Sequence, residues 1–361
     1  MPKKKTKTTD SVDSVISSLL ETQGVTLLSA DDVFFEPRRW TETDVLAFQA
    51  CIGARGVPSG RIIEITGWES AGKSTLLDQI FASYQKRGQL ACLADTEQSR
   101  QKYYTGLLGC DPDRLVVLKA HTIQGIGGKI GQFLTHLKKS SFEGATVIGW
   151  DTVANTPSDG EFAAYMANAQ AGDNKKKPSM MDGAKALKAM FRALMAMLQE
   201  TDTTLIATNQ WYSGPPEYRN GPPSKKTYGG TAMRYMPSIR VEVVRDHTKA
   251  GGFFDALGKR AGHYGEIRNI KNKIRDPHKV IPYLLIYGQG FCNVYTVATI
   301  LADAGVISRA GSWSSVELKD LGIKGGGSIK WQNRGQLMKA LEDSPETWSG
   351  MVEAFWECQG I

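Results

Sequence analysis

The sequence predicts an α/β protein: a mostly parallel central sheet covered on both faces by helices, with a helical arm before it and a small α+β lobe after it. Three observations carry this. Strand-like apolar runs alternate with helical apolar spacing from residue 61 to residue 209. A glycine-rich octapeptide, Gly67-Trp68-Glu69-Ser70-Ala71-Gly72-Lys73-Ser74, stands between one such strand and the helix after it. Beyond residue 237 the alternation gives way to consecutive strands and then to a mixed segment.

Taken in order, the chain starts with a basic stretch, Met1-Pro2-Lys3-Lys4-Lys5-Thr6-Lys7, which lacks the apolar core of a secretory signal. Apolar residues at 12, 15, 16, 19 and 20 form one face of an amphipathic helix, capped by Asp10 or Ser11. That face packs either on its own domain or on a neighbouring subunit. Residues 1–45 are read as this tail and arm. Strands are expected at 61–66, 90–95, 115–119, 145–151 and 204–209, with helices at 73–87, 129–139 and 183–200. Ligands in such sheets bind beyond the carboxyl ends of the strands, where Asp95, Glu97, Asp151, Asn209 and Gln210 stand. Strands at 238–244, 264–271 and 282–287 read as an antiparallel extension and complete a core of 46–288. Residues 289–361 form the small lobe, with Gly325-Gly326-Gly327 at its centre and Trp313, Trp331, Trp348 and Trp356. Two long loops, 158–179 and 211–228, follow strand ends near the octapeptide.

Composition narrows the class. The chain has 361 residues, 41% hydrophobic and 22% charged, as in a soluble globular protein of two or three domains. No apolar stretch is long enough to span a membrane. Five scattered cysteines without a C-x-x-C pair argue for a reducing compartment, hence the cytoplasm, and against a zinc or disulfide framework. A net charge of +7 suits a polyanionic partner such as nucleic acid.

The octapeptide is a complete G-x-x-x-x-G-K-[ST] phosphate-binding loop. Its glycines let backbone N–H groups turn towards an anion, and the N-terminus of the following helix adds positive potential. Lys73 reaches the outer phosphates and the Ser74 hydroxyl ligates Mg²⁺. Asp151, closing an apolar strand, holds the metal shell opposite Ser74. Glu97, with Asp95 as the competing candidate, orients the attacking water. Asn209-Gln210 leads directly into the second loop, and a neutral amide there senses the terminal phosphate without adding charge. That loop interleaves Trp211, Tyr212, Tyr218 and Tyr228 with Arg219, Lys225 and Lys226, a mixture suited to single-stranded nucleic acid. Lys175, Lys176 and Lys177 on the first loop add phosphate contacts.

The segment from Gly60 to Thr75 resembles the signature of the bacterial RecA recombinase family. Further similarities follow in the same order: Asp95-Thr96-Glu97, residues 147–157, residues 204–210, Gly229-Gly230-Thr231-Ala232-Met233-Arg234-Tyr235, Lys271-Asn272-Lys273-Ile274 and Tyr287-Gly288-Gln289-Gly290. The resemblance covers about residues 55–355. It implies a RecA-type ATPase core that binds ATP and Mg²⁺ through Gly67 to Thr75 and Asp151. It implies catalysis by Glu97, stacking of adenine on Tyr104 (or adjacent Tyr103) and a switch at Gln210. Lys271 and Lys273 would reach the neighbouring subunit's ATP, and Arg234 and Tyr235 would link subunits. The implied activity is homologous pairing and strand exchange by a helical filament on single-stranded DNA, acting on double-stranded DNA. The chain departs from the family in its longer first loop, its Pro-rich second loop, Arg234 in place of the usual lysine and the lack of an acidic C-terminal tail. Two other readings use the same core: a hexameric helicase motor, and an ATP-binding DNA-coating or mediator protein with little turnover.

Overall fold

The computed structural model describes residues 12–21, 36–172, 177, 181–214, 224–324 and 326–361. The basic stretch at the start of the chain lies outside them. Helix α1 (Val12–Leu20) forms as the spacing predicts, and Val12, Val15, Ile16, Leu19 and Leu20 are all exposed. Its apolar face is therefore not covered by the described part of its own chain. A short antiparallel pair, β1 (Trp40–Thr41) with β2 (Val57–Pro58), frames the buried helix α2 (Leu46–Ile52).

The alternating part then runs β3 (Ile62–Gly67), α3 (Lys73–Lys86), β4 (Leu90–Asp95), α4 (Lys102–Leu107), β5 (Leu115–Val117), α5 (Ile123–Lys139) and β6 (Thr146–Asp151). It continues with α6 (Asp159–Ala171), α7 (Asp182–Glu200), β7 (Thr203–Gly214), β8 (Ser224–Thr227), α8 (Gly230–Tyr235) and β9 (Ile239–Arg245). Strands β10 (Gly252–Phe254), β11 (Arg260–Asn272), β12 (Val280–Ile286) and β13 (Gly290–Phe291) complete the sheet. Its order is β13-β12-β11-β9-β3-β7-β6-β4-β5. Side chains alternate across it, as the two-residue period of a strand demands. Ile63, Ile65, Val147 and Ile206 enter the core under α2 and α3, while Ile62, Ile148, Trp150 and Leu205 enter the core under α5 and α7. Burial on both faces explains why these strands read as continuous apolar runs.

Four expectations need correction. Strand β9 is not simply part of an antiparallel extension: it pairs parallel with β3 and antiparallel with β11, so the sheet changes direction at β9 itself. The expected loop at 158–179 contains α6, whose Ser158 and Glu161 form a complete capping box, a local signal on the order of 1 kcal/mol. The expected loop at 211–228 begins and ends as a ribbon: β7 runs on through Trp211 and Tyr212 and pairs antiparallel with β8. The middle of the segment, 215–223, lies outside the described residues. Helix α5 starts at Ile123 rather than 129, because Gly127 is packed against Met190 of α7, where a Cβ would meet the Met190 Cγ at 2.6 Å. Low intrinsic helix propensity is overridden by that close approach.

The C-terminal part holds α9 (Asn293–Asp303), a three-stranded antiparallel sheet of β14 (Ser308–Ala310), β15 (Trp313–Glu317) and β16 (Ser328–Trp331), then α10 (Arg334–Asp343) and α11 (Pro345–Gln359). Its buried residues Val297, Leu301, Met351 and Phe355 belong to the same apolar cluster as Phe48 and Ile52 of α2. Among the described residues no helix is long and apolar enough to cross a membrane.

Candidate nucleotide site

The octapeptide turns sharply from β3 into α3. Ser70 and Gly72 have φ of 56° and 103°, and the turn is packed too closely for side chains at its glycines. A Cβ on Gly67 would lie 2.6 Å from the Val243 carbonyl oxygen, and one on Gly72 would lie 2.5 Å from Leu285 Cδ1. Tyr283 supports the loop from below, its hydroxyl donating to the Ala71 carbonyl at 3.0 Å. Lys73 is buried, and its Nζ donates to the carbonyls of Gly67 (3.0 Å) and Trp68 (2.9 Å). Burial lowers its pKa, while Asp151, Glu97 and Glu69 act in the opposite direction.

A cavity of about 420 Å³ opens over this loop. Glu69, Ser70, Gly72, Lys73, Ser74 and Thr75 line one side, and Glu97, Tyr104, Asp151 and Gln210 face them. Ala71 is buried behind the loop, and Trp68 is 40% exposed outside the cavity. Residues from β3, β4, β6 and β7 and the segments after them, with Glu69 and Gln210 141 positions apart, thus converge on one space. Of the two tyrosines, Tyr104 lines the cavity, whereas Tyr103 is 76% exposed elsewhere. Of the two acids, Asp95 is used in a turn, its Oδ1 accepting the backbone N–H of Glu97 and Gln98 at 3.1 and 2.9 Å. Glu97 enters the cavity. Its Oε1 accepts from Gln210 Nε2 and from Asn155 Nδ2, both at 3.1 Å. Burial and then the Asp151 carboxylate raise the Glu97 pKa, with Lys73 opposing them.

Several participants were not among the site residues expected from the sequence, and Tyr287 stood only in a segment of the family resemblance. Arg245, His263, Leu285 and Tyr287 close the cavity from β9, β11, β12 and the turn after β12. Arg100 bridges two buried carboxylates, with Nη2 3.1 Å from Asp151 Oδ2 and Nε 2.9 Å from Asp78 Oδ1. The other Asp151 oxygen accepts from the Thr208 hydroxyl. Asn209 lies at a junction: its Nδ2 donates to Glu64 Oε1 (2.8 Å) and to the Tyr228 carbonyl (2.9 Å), and its Oδ1 accepts from the Gln210 backbone (2.9 Å). Glu64 in turn pairs with Arg240. Capping-box and helix-cap signals are local and legible, but such contacts depend on strand register.

Lys271 and Lys273 do not line the cavity of their own chain. Lys271 Nζ donates to the carbonyls of Arg234, Tyr235 and Pro237 at 3.1, 3.0 and 2.8 Å, closing the C-terminal end of α8. Burial, then the neighbouring Lys273 and Arg240, bring the Lys271 pKa down to about 8. Lys273 reaches the Tyr235 carbonyl at 3.5 Å.

On the ribbon, Tyr212 and Lys226 face each other across the strands and are exposed. Lys225 is engaged within the chain: its ammonium lies 4.5 Å from the Trp211 ring centre and pairs with Glu242. Lys177 is exposed. Lys175, Lys176, Tyr218 and Arg219 lie outside the described residues.

His263 provides a test of the cavity wall. It is buried beside Tyr283, whose hydroxyl is 3.4 Å from Nε2, and burial followed by the Arg245 charge holds its pKa down at about 4. The unfolded chain takes up this proton near pH 6.5, before the native state does. Stability therefore falls as pH drops from about 6.5 to about 4, at most by about 1.4 kcal/mol per pH unit for one proton. Denaturant unfolding of wild type and His263→Gln at about pH 7 and about pH 5 measures this, and the comparison cancels the carboxylates. The wild type is expected to lose more stability than the variant; equal losses would exclude a buried neutral His263.

The family model described as RecA N-terminal domain matches residues 38–292. The chain is similar to Protein RecA of Aquifex pyrophilus, 29% identical over 320 residues that cover 88% of this chain and 83% of that one. It is also similar to Protein RecA of Lactobacillus acidophilus, 30% identical over 321 residues that cover 88% of this chain and 79% of the relative. Protein RecA of Cytophaga hutchinsonii is 29% identical over 304 residues, 84% of this chain and 77% of its own length.

Proposed function

This chain belongs to the RecA family, recombinases that are DNA-dependent ATPases, and on that premise we propose that it forms an ATP-bound helical filament on single-stranded DNA and catalyses pairing and strand exchange with double-stranded DNA. The observation that carries the reading is the convergence of the phosphate-binding loop, Glu97, Tyr104, Asp151 and Gln210 on one cavity. The donor set suits a nucleoside triphosphate: a turn that only glycine fits at Gly67 and Gly72, a buried ammonium and a ring at the cavity edge. Ser74 and Asp151 would hold Mg²⁺, which supplies charge neutralisation on the phosphates.

In this mechanism Lys73 draws the outer phosphates onto the loop. Tyr104 stacks on the base. Glu97, with its pKa raised towards neutrality, orients the attacking water and accepts its proton. Gln210 stands between Glu97 and the ribbon, so loss of the terminal phosphate alters its contact and, through β7, the segment carrying Trp211, Tyr212 and Lys226. Lys177, Lys226 and the segments on either side of them, with Lys175, Lys176, Tyr218, Arg219 and Lys225, would meet the DNA. Lys271 and Lys273 would complete the neighbouring subunit's site, and the exposed face of α1 would dock on that neighbour. The same reading divides the chain into an arm (1–45), a core (46–288) and a lobe (289–361) and places it in the cytoplasm.

The test is ATP hydrolysis with and without single-stranded DNA at about 50 and about 300 mM salt. Stimulation by the single strand that disappears at the higher salt is expected, because phosphate contacts weaken steeply with salt. Hydrolysis indifferent to DNA would overturn the shared-interface mechanism, and ATP binding without hydrolysis would favour a coating protein.

A further inference from the structure

Each oxygen of the Asp151 carboxylate has a partner in its own chain, although the residue also lines the cavity. Thr208 donates to Oδ1, and Arg100 Nη2 stands 3.1 Å from Oδ2. The same guanidinium pairs with Asp78 at 2.9 Å, donates to the Ser74 carbonyl at 3.4 Å and lies 5.9 Å from the Phe81 ring centre. It is held on four sides and nearly buried: its side chain is 12% exposed, and those of Asp78 and Asp151 are 4% and 5% exposed. Two buried carboxylates so close together would repel each other without an intervening cation, and together they would make a strong divalent-cation site. Arg100 already sits between them.

The geometry assigns Arg100 as a positioning residue that occupies Asp151 Oδ2 and denies a free divalent ion direct access to the Asp78–Asp151 pair. This rests on the reading of the cavity as a Mg²⁺-nucleotide site. With Asp78 and Asp151 neutralised by a resident guanidinium, the other carboxylates of the pocket are Glu97, held by Gln210 and Asn155, and Glu69, both facing Lys73. Metal binding then depends on the nucleotide, whose phosphates supply the missing negative charge. Lys73, which also faces Asp151, acts in the same sense. Thr105, which donates to Asp78 Oδ2 at 3.3 Å, and Thr208 fix the carboxylates but carry no charge.

The experiment uses Mn²⁺ as the probe, read from the electron paramagnetic resonance of the free ion, with the full chain free of nucleotide and every variant in the same buffer. Removing a unit positive charge within about 4 Å of two carboxylates should tighten Mn²⁺ binding by Arg100→Gln about tenfold or more relative to wild type. Arg100→Lys keeps the charge and should stay near wild type. Adding Asp151→Asn to Arg100→Gln should erase the gain. If Arg100→Gln does not fold, Arg100→Met keeps the contact with Phe81 and carries the same expectation. A merely structural arginine would give no gain in affinity. Mn²⁺ binding by the variant within about twofold of wild type, or a gain that survives Asp151→Asn, would overturn the assignment. A fluorescent ATP analogue with Mg²⁺ separates the two layers. Failure of the wild type to bind it would remove the nucleotide reading, whereas binding with unaltered Mn²⁺ affinity in Arg100→Gln would remove this inference alone.

Discussion

Replacing Glu97 with glutamine is expected to lower kcat for ATP hydrolysis by about 10²- to 10⁴-fold while nucleotide binding persists. The substitution keeps the size of the side chain and an oxygen able to accept from Gln210 and Asn155, the two amides that hold Glu97 at 3.1 Å. What it removes is the ability to take a proton. Glu97 suits that task because burial and the Asp151 charge raise its pKa, bringing it nearer the pH at which it must work. Asp95, two residues away, cannot substitute, since its carboxylate is committed to the backbone of Glu97 and Gln98. Single-turnover hydrolysis beside a nucleotide titration separates chemistry from binding. A glutamine variant that hydrolyses ATP within a few-fold of wild type would return the role to another group.

Replacing Lys73 with alanine is expected to remove both binding and turnover, with kcat/KM down at least 10²- to 10³-fold, the order seen when one charge-stabilising donor is lost. The ammonium faces the carboxylates of Asp151, Glu97 and Glu69, in a cavity that Arg245 also lines. Without it those carboxylates confront an incoming polyanion across a short, poorly screened distance. Arginine should not rescue the function: the space between the Gly67 and Trp68 carbonyls holds a compact ammonium rather than a planar fork. The fold should survive, because burying the ammonium costs solvation that alanine does not require, so melting curves should overlay while nucleotide titrations do not. Hydrolysis within threefold of wild type would place the phosphates somewhere other than the 67–74 loop.

Much of the site was legible because its central part is contiguous. Glycine at 67 and 72 and a lysine and serine at 73 and 74 specify a turn, a helix start and an anion cradle without reference to the rest of the chain. Apolar runs at 61–66, 90–95, 145–151 and 204–209 likewise specify strands by local chemistry, and Glu97, Asp151 and Gln210 stand at or just beyond the carboxyl ends of three of them. The S-x-x-E cap of α6 was equally local, yet the polar loop composition around it obscured it. The start of α5 was hidden by its glycines, and the reason for Gly127, close packing on Met190 of α7, lies in another segment.

By itself, then, the sequence determined the nucleotide loop, the strand ends that face it and the family to which the chain belongs, because each rests on residues adjacent along the chain. Only the tertiary structure decided that Glu97 rather than Asp95 enters the cavity, that Lys225 pairs with Glu242, and that Arg100 joins Asp78 to Asp151. It alone brought Arg245 and His263 against the loop, through a register that sets Thr66 beside Glu242 and Gly265 beside Arg245. Those pairings are chosen by the packing of the whole sheet against its two apolar layers, a property no single stretch of sequence contains.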